Sequence, residues 1–384
     1  MCVRLTRRKL GILGAGQLAQ MTCLAGQKLG YEMHVFANSE MEPAALVADK
    51  VWRGEWTDTD LVIEFAKTVN AFAYDTEHLP ISSVNIASNY SQAFPHPELL
   101  FATQNRIRER ELLQSFHVPM PKVAFIRNNA DIMKVVDFGY PAVLKTAEQG
   151  YDGKGQIKVE AFDQLTGAWE QLGNVPCVLE EWIHFTKEMS VLVARGIQGD
   201  SQVYPVVDND HVNHILHQSS IPSTLLQSVQ EEAERIARHI AESVSLTGLL
   251  AVEMFYTAEG KVWVNELAPR PHNSGHLTQL SAKTSQFEQL VLAMAGESLG
   301  AVDTRPAVML NLLGDLFMGE HASRDYLKHG FIYPTDAETN VFFYGKKEAR
   351  PGRKMGHLIA VADTRQEAKA KAEKLYQEYE RANH

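Results

Sequence analysis

Cysteine is scarce in this chain: Cys2, Cys23 and Cys177 are the only thiols among 384 residues. They are scattered, odd in number and without metal-ligand spacing, which argues against a disulfide framework and fits reduced thiols in a cytoplasm. Apolar runs are short, and none reaches the roughly 18 residues of a membrane span. Excess basic charge is missing too. The formal net charge is -10, so bulk charge gives nucleic-acid binding no support, although locally concentrated cations can still hold phosphates. Repeats and low-complexity tracts are absent. The opening Arg4-Leu5-Thr6-Arg7-Arg8-Lys9 is basic, but Leu10 to Ala15 is too short and glycine-rich for a signal core, and a short disordered extension is expected. What remains, 45% apolar and 22% charged, is an ordinary globular composition. The length suits about two to three domains.

The most informative stretch is Asn265-Glu266-Leu267-Ala268-Pro269-Arg270-Pro271-His272-Asn273-Ser274-Gly275-His276. It follows an apolar run, Leu249 to Tyr256, interrupted by Glu253, and a turn at Ala258-Glu259-Gly260 separates the two. Two β-rich segments about a glycine-bearing turn predict a hairpin. A loop of residues 258–259 or 257–260 sets Glu253 opposite Val264. Glu266 then shares a face with Glu253, one diagonal step away. Two carboxylates on one face repel unless a cation sits between them. Magnesium takes carboxylate oxygens and keeps sites open for phosphate; the alternative is a solvated acidic face. Arg270, His272 and Asn273 downstream suit an anion held beside the metal.

Near the start, strand Leu10–Leu13, the turn Gly14-Ala15-Gly16-Gln17-Leu18-Ala19, a helical run to Leu29 and strand Glu32–Phe36 predict a βαβ unit. Its glycine turn opens a helix, where backbone N–H groups favour anions. As a dinucleotide fingerprint it is weak, because Ala37-Asn38-Ser39 stands where a ribose-binding acid belongs. The strand Ala71–Tyr74 ends in Asp75-Thr76-Glu77-His78. Open α/β sheets bind ligands at the carboxyl ends of strands, so Glu77 is a candidate ligand group, against a plain solvated carboxylate.

Pro95-His96-Pro97 reads as a linker, and the helix Glu98 to Phe116 is interrupted near Thr103, which can cap its second half. Lys145 ends the strand Ala142–Thr146 and is costly to bury without an anion. Gly150-Tyr151-Asp152-Gly153-Lys154-Gly155-Gln156 leads into a further strand, Gln156–Val159. Its glycines let the backbone approach a ligand closely. No Ser or Thr follows Gly-Lys and no helix follows, so this is not a Walker A loop. It is a hairpin that either folds over phosphates or is merely a turn. In Val178–Ile183, Glu180 and Glu181 interrupt the apolar pattern before Trp182 and Ile183, and Glu188 follows a short loop; such a segment suits an adenine edge and ribose hydroxyls. His211, His214 and His217 are spaced by threes, but without helical periodicity or an acidic or thiol shell they make a poor zinc site. His272 and His276 have helical spacing, which Pro271 and Gly275 oppose.

Glu231–Val244 and Thr284–Ala295 predict amphipathic helices. Later come strand-like runs, Val308–Leu313 and Val341–Tyr344, and the basic Gly345-Lys346-Lys347-Glu348-Ala349-Arg350-Pro351-Gly352-Arg353-Lys354. That cluster is either a monophosphate site or a solvated loop. An Ala/Lys/Glu-rich helix, Arg365–Arg381, closes the chain.

From about Leu10 to His357 these motifs resemble the N5-carboxyaminoimidazole ribonucleotide synthetase family of ATP-grasp enzymes. Those carrying the likeness are Gly14–Leu18, Gly150–Gln156, Asn265–His276, Thr284–Gln289, Tyr344–Lys346 and Arg350–His357. The resemblance implies an α/β and α+β architecture in three domains: Rossmann-like over 1–97, ATP-grasp over 98–300 and a small C-terminal domain over 301–384. It implies an ATP-dependent ligase of purine biosynthesis, cytoplasmic and homodimeric, without nucleic-acid or membrane partners. ATP would be held by Arg106, Lys145, the loop Gly150–Gln156, the strand Glu180–Ile183, Glu188 and His211, with Asn265 beside magnesium on Glu253 and Glu266. Arg270, His272 and Asn273 would hold bicarbonate and its phosphorylated product. Gln17, Glu77, Tyr151, Asp152, Lys346, Arg350 and Arg353 would contact aminoimidazole ribonucleotide, with Asp152 or Glu77 the proton acceptor. Three positions depart from the family pattern. Ala147-Glu148-Gln149 replaces a stretch with an arginine and a glycine, Asp75 replaces a common glutamate, and Val212 stands where arginine is often seen. Glu148 beside a triphosphate would be unwelcome. Other ATP-grasp ligases and a non-catalytic nucleotide-binding regulator are the competing readings.

Overall fold

The computed structural model describes residues 8–148, 150, 154–318, 332–334 and 337–383. The basic opening up to Arg7, and Tyr151, Asp152 and Gly153 of the glycine loop, lie outside the described residues.

The first sheet is parallel: β1 (Lys9–Leu13), β2 (Glu32–Ala37), β3 (Lys50–Arg53), β4 (Ala71–Tyr74) and β5 (Gln92–Phe94), in the order β3-β2-β1-β4-β5. Helices cover both faces, so β1 and β4 are apolar and buried almost throughout. The strand order reverses between β1 and β4. Their carboxyl ends part there and open a crevice, the usual ligand position in such sheets. The turn Gly14–Gly16 and Asp75–Glu77 both stand at it.

The second sheet is antiparallel, β6 (Val123–Ile126), β7 (Ala142–Thr146), β8 (Gln156–Val159) and β9 (Cys177–Glu181), ordered β6-β9-β7-β8. Lys145 pairs with Gln156 across the hairpin that carries the glycine loop, as its flanking strands predict.

The third sheet is the largest. It contains β10 (Phe185–Arg195), β11 (Ser201–Val203), β12 (Val207–Val212), β13 (Ile215–Ile221), β14 (Gly248–Thr257), β15 (Val262–Ala268), β16 (Ala307–Leu313), β17 (Ile332–Pro334), β18 (Thr339–Phe343) and β19 (Lys354–Val361). Its order is β15-β14-β10-β12-β13-β16-β19-β18-β17, with β11 paired to β10. The pairing of β13 with β16 joins the C-terminal strands to the central ones. The helix Gln227–Ser243 lays Ala233, Ile236, Ala237, Ile240 and Ala241 against β10 and β14. Full burial of a side chain such as Ile240 contributes about 1.5–3 kcal/mol, so this helix is one of the rigid backs of the sheet.

Two local expectations need correction. The interrupted helix is two helices, Pro97–Thr103 and Arg106–Ser115. The cap on the second is Asn105, whose side chain accepts from the N–H groups of Ile107 and Arg108; Thr103 turns back to the Leu99 carbonyl at 3.1 Å. The acidic hairpin is also out of register with the sequence reading. Thr257 N–H donates to the Lys261 carbonyl at 3.0 Å, and Met254 pairs with Val264. A bulge then intervenes, and Glu253 pairs directly with Glu266 rather than with Val264.

Candidate active site

A cleft of about 860 Å³ lies between the second and third sheets. Arg106, Lys145, Gly150, Lys154, Gln156, Glu180, Glu181, Trp182, Ile183, Glu188, His211, Asn265 and Glu266, all expected at the nucleotide, line it. Glu253, Arg270, His272, Asn273 and Glu77 join them from the acidic hairpin, its tail and the first sheet.

Charge at the inner end is tightly arranged. Lys145 Nζ lies 2.6 Å from Glu180, whose other oxygen accepts from Arg110 Nε at 2.9 Å. Arg110 is fully buried and also donates to the Asn265 carbonyl at 2.6 Å. Glu109, paired with Arg110 at 3.3 Å, accepts from Leu267 N–H at 2.8 Å. Burial pushes the Glu180 carboxyl up, but Arg110 and Lys145 override it and hold it at about 2. Glu180 is therefore an anion already committed to two cations. It steadies Lys145 at the inner end of the cleft. The N–H groups of Glu181 and Trp182 are also in use, donating to the carbonyls of Lys122 and Pro141 at 2.9 and 3.3 Å. An apolar wall stands nearby: Phe185 and Phe255 stack with centroids 4.6 Å apart, beside Trp182 and Ile183. Flat apolar surface of this kind suits a purine ring.

Around the acidic pair, each carboxylate has a nitrogen-bearing side-chain partner. Glu253 meets His272 Nε2 at 2.6 Å, and Glu266 meets Arg106 Nη1 at 3.3 Å. Arg270 Nε lies 2.7 Å from Glu77, and Glu188 is paired with His211. Burial raises the Glu253 carboxyl, yet His272, with His211 and Lys354 beyond it, brings it well below the usual carboxylate range. Two facing carboxylates, compensated only by side chains, are a donor set of the hard-oxygen kind that a magnesium ion takes. Asn273 adds a second sign. Both polar atoms of its amide are buried and find no partner among the described residues. Leaving such atoms unpaired costs about 1–3 kcal/mol each, a cost that a bound anion or ligand would remove. His272 caps a short 3-10 turn, Asn273–Leu277, so Pro271 and Gly275 exclude an α-helix but not this tighter turn.

At the crevice of the first sheet, Asp75 accepts from Gly16 N–H at 2.6 Å. A Cβ on Gly14, whose φ is +101°, would lie 1.9 Å from the Asp75 carboxylate. The glycine turn thus wraps a carboxylate of the chain itself, which leaves no room there for a dinucleotide pyrophosphate. Burial raises the Asp75 carboxyl to about 6, and the group is close enough to Arg270 and Lys346 to couple with both. Burial, aided by Arg353 and Lys354, lowers Lys346 to about 7. Gln17, Gly155, Lys346, Arg350 and Arg353 do not line the main cleft. Arg350 is exposed and pairs with Glu348 at 2.6 Å, while Arg353 donates to the Glu348 carbonyl at 2.8 Å.

Three family models match in succession: a ribonucleotide synthetase preATP-grasp domain over residues 7–104, an ATP-grasp domain over 111–287, and a phosphoribosylaminoimidazole carboxylase C-terminal domain over 307–371. The N5-carboxyaminoimidazole ribonucleotide synthase of Bacillus subtilis (strain 168) is 35% identical over 351 residues, covering 91% of this chain and 90% of that protein. The chain belongs to the N5-carboxyaminoimidazole ribonucleotide synthase family. The synthase of Aquifex aeolicus (strain VF5) is 32% identical, with 96% of each chain covered. Among solved structures, an ADP complex of a synthetase of this family superposes with a TM-score of 0.87 at 34% identity, covering 97% of this chain and 98% of that one. The enzyme from Aspergillus clavatus, in complex with ADP and 5-aminoimidazole ribonucleotide, gives a TM-score of 0.85 at 26% identity, covering 98% and 99%. This member of the family is an ATP-grasp ligase, and the activity that goes with membership is ATP-dependent carboxylation of 5-aminoimidazole ribonucleotide in purine biosynthesis.

The departure at Glu148 is absorbed locally. Its carboxylate accepts from the Asn105 amide at 2.9 Å, at the N-terminus of the helix Arg106–Ser115, where negative charge is favoured. Sequence reasoning missed Glu109, Arg110, Phe185 and Phe255. Arg110 is disguised by the charged run Arg106–Glu111, which looks like a solvated helix face until packing buries it. No signal in the sequence marks the phenylalanine pair.

Proposed function

We propose that the chain carboxylates 5-aminoimidazole ribonucleotide in two stages at one site, with bicarbonate as carbon donor and carboxyphosphate between the stages. Lys145, Lys154 and Arg106 hold the phosphates of ATP. Its purine lies against Phe185, Phe255 and Trp182. Glu253 and Glu266 would hold magnesium, which would supply neutralisation of the charge developing on the transferred phosphoryl group. Arg270, His272 and Asn273 bind bicarbonate so that its oxygen faces the γ-phosphate. An oxygen–phosphorus bond forms as the bond to ADP breaks. Collapse of carboxyphosphate to phosphate and carbon dioxide leaves the electrophile beside the substrate amine, which adds to it and loses a proton. Asp152 of the glycine loop or Glu77 receives that proton. Closure of the loop excludes water from the labile intermediate. Gln17, Tyr151, Lys346, Arg350 and Arg353 bind the ribonucleotide, its monophosphate facing the basic C-terminal stretch.

The observation that carries this reading is the direct pairing of Glu253 with Glu266 in the same cleft as Lys145, Arg270 and the unpartnered Asn273 amide. A division into units over 1–97, 98–300 and 301–384, a cytoplasmic location and a homodimer complete the proposal; no helix among the described residues is long and apolar enough to cross a membrane. The test is product analysis with ATP, magnesium, 13C-bicarbonate and aminoimidazole ribonucleotide. Label should enter the N5-carbamate with one ADP formed per carbamate. ATP turnover indifferent to the ribonucleotide would defeat the proposal.

A further inference from the structure

A polar stripe crosses the third sheet, leading from the acidic pair into the interior. Ser190 of β10 is the cross-strand partner of Glu253, and Asn209 of β12 pairs with Ser219 of β13. Ser190, Ser219 and Ser274 have no exposure, and Asn209 is 5% exposed. The reaction described above uses none of them. Burying such groups is unfavourable unless they are hydrogen-bonded, and here they bond in series. Ser219 Oγ donates to Asn209 Oδ1 at 2.9 Å, and Asn209 Nδ2 donates to Ser190 Oγ at 3.0 Å. Ser190 and Ser274 hydroxyls meet at 2.7 Å, and Ser274 Oγ lies 2.8 Å from His272 Nδ1.

The series has a direction. The Asn209 amide nitrogen only donates, so the Ser190 proton is free to point at Ser274, and the Ser274 proton at His272. The backbone agrees independently: Ser274 N–H approaches His272 Nδ1 at 3.3 Å, and an N–H can only donate. Nδ1 is therefore an acceptor. The ring proton sits on Nε2, which lies 2.6 Å from Glu253. The imidazole thus donates to one of the two carboxylates that face each other across β14 and β15.

We infer that Ser219, Asn209, Ser190 and Ser274 form a buried hydrogen-bond chain that positions His272. It selects the Nε2–H tautomer and aims that N–H into the cleft, where it meets Glu253 and would meet bicarbonate in the proposed reaction. None of the four touches substrate; they act through His272, as outer-shell partners of ligating groups do elsewhere. The effect expected on catalysis rests on the proposed site, whereas the tautomer itself does not.

The test uses the full chain with 15N-labelled histidine and two-bond 1H–15N imidazole spectra, His272 being assigned by its loss in His272→Gln. The unsubstituted protein should show the Nε2–H pattern at His272. Ser274→Ala and Ser190→Ala should each give mixed tautomers, with kcat lower by about 10–100-fold and KM for ATP unchanged. Ser190→Ala keeps the test available if the substitution at 274 prevents folding. Retention of a pure Nε2–H pattern in a folded variant would overturn the chain. So would a lower melting temperature with unaltered kcat, which is what a purely structural role predicts. Normal kcat in His272→Gln would instead count against the site, leaving the tautomer result to judge the chain alone.

Discussion

Glu253 and Glu266 face each other directly across β14 and β15, each tied to a side-chain nitrogen, of His272 and Arg106 respectively. In that arrangement the Arg106 guanidinium and the His272 N–H offset a repulsion that a divalent ion would offset better. Glu266→Gln should keep the fold and lower turnover at least about a hundredfold, the usual effect of removing a preorganised charge-stabilising group. Near-normal turnover at saturating magnesium would remove Glu266 from the metal site.

Arg110 holds the inner end of the cleft together. Substitution by methionine fills its volume but removes the ion-pair partner of Glu109 and one of the two that hold Glu180. Breaking a buried pair from one side costs roughly 3–5 kcal/mol. Denaturant unfolding of Arg110→Met should show a loss in that range, with weakened ATP binding because Lys145 is less firmly placed. An unchanged midpoint would mean that the pairing contributes little.

The basic C-terminal stretch is assigned to the substrate monophosphate. Arg353→Ala should raise the KM for aminoimidazole ribonucleotide by about tenfold to a hundredfold, since a charge-assisted contact contributes roughly 1.5–3 kcal/mol. The KM for ATP should stay put. Kinetics with each substrate varied in turn decides it; an effect confined to ATP would mean the cluster serves the other substrate.

Lys346 gives a pH-dependent signature. Burial lowers its ammonium to about 7, so in the free protein at about pH 8 it is mostly neutral. A phosphate dianion beside it favours the charged form and pulls the value back up. Binding of the ribonucleotide at that pH should therefore take up a proton. Calorimetry in buffers of different ionisation enthalpy measures the uptake; a buffer-independent enthalpy would place Lys346 away from the anion.

Much of the cleft lining could be read from the sequence as candidates because it sits in short contiguous motifs. The glycine loop, Lys145 at a strand end and the Asn265–His276 stretch need no tertiary knowledge to be noticed. What could not be read depends on geometry that spacing does not encode. One bulged residue in β15 moves Glu266 from a diagonal position to a direct one. The Glu148 carboxylate, at the edge of the cleft, is held by the Asn105 amide, a choice set by a helix N-terminus 43 residues away in sequence. Asp75 fills the glycine turn that, by pattern, invites a dinucleotide. The stacking of Phe185 on Phe255 follows from the register of two antiparallel strands.

The central claim is that bicarbonate is activated by phosphorylation in the cleft shared by Lys145, Glu253, Glu266 and Arg270. Bicarbonate labelled with 18O tests it most directly. If carboxyphosphate forms, one bicarbonate oxygen stays on phosphorus when the intermediate collapses. The inorganic phosphate released with ADP should then carry one 18O per turnover, in step with carbamate formation. Unlabelled phosphate would show that water or another oxygen attacked ATP, and would contradict the account.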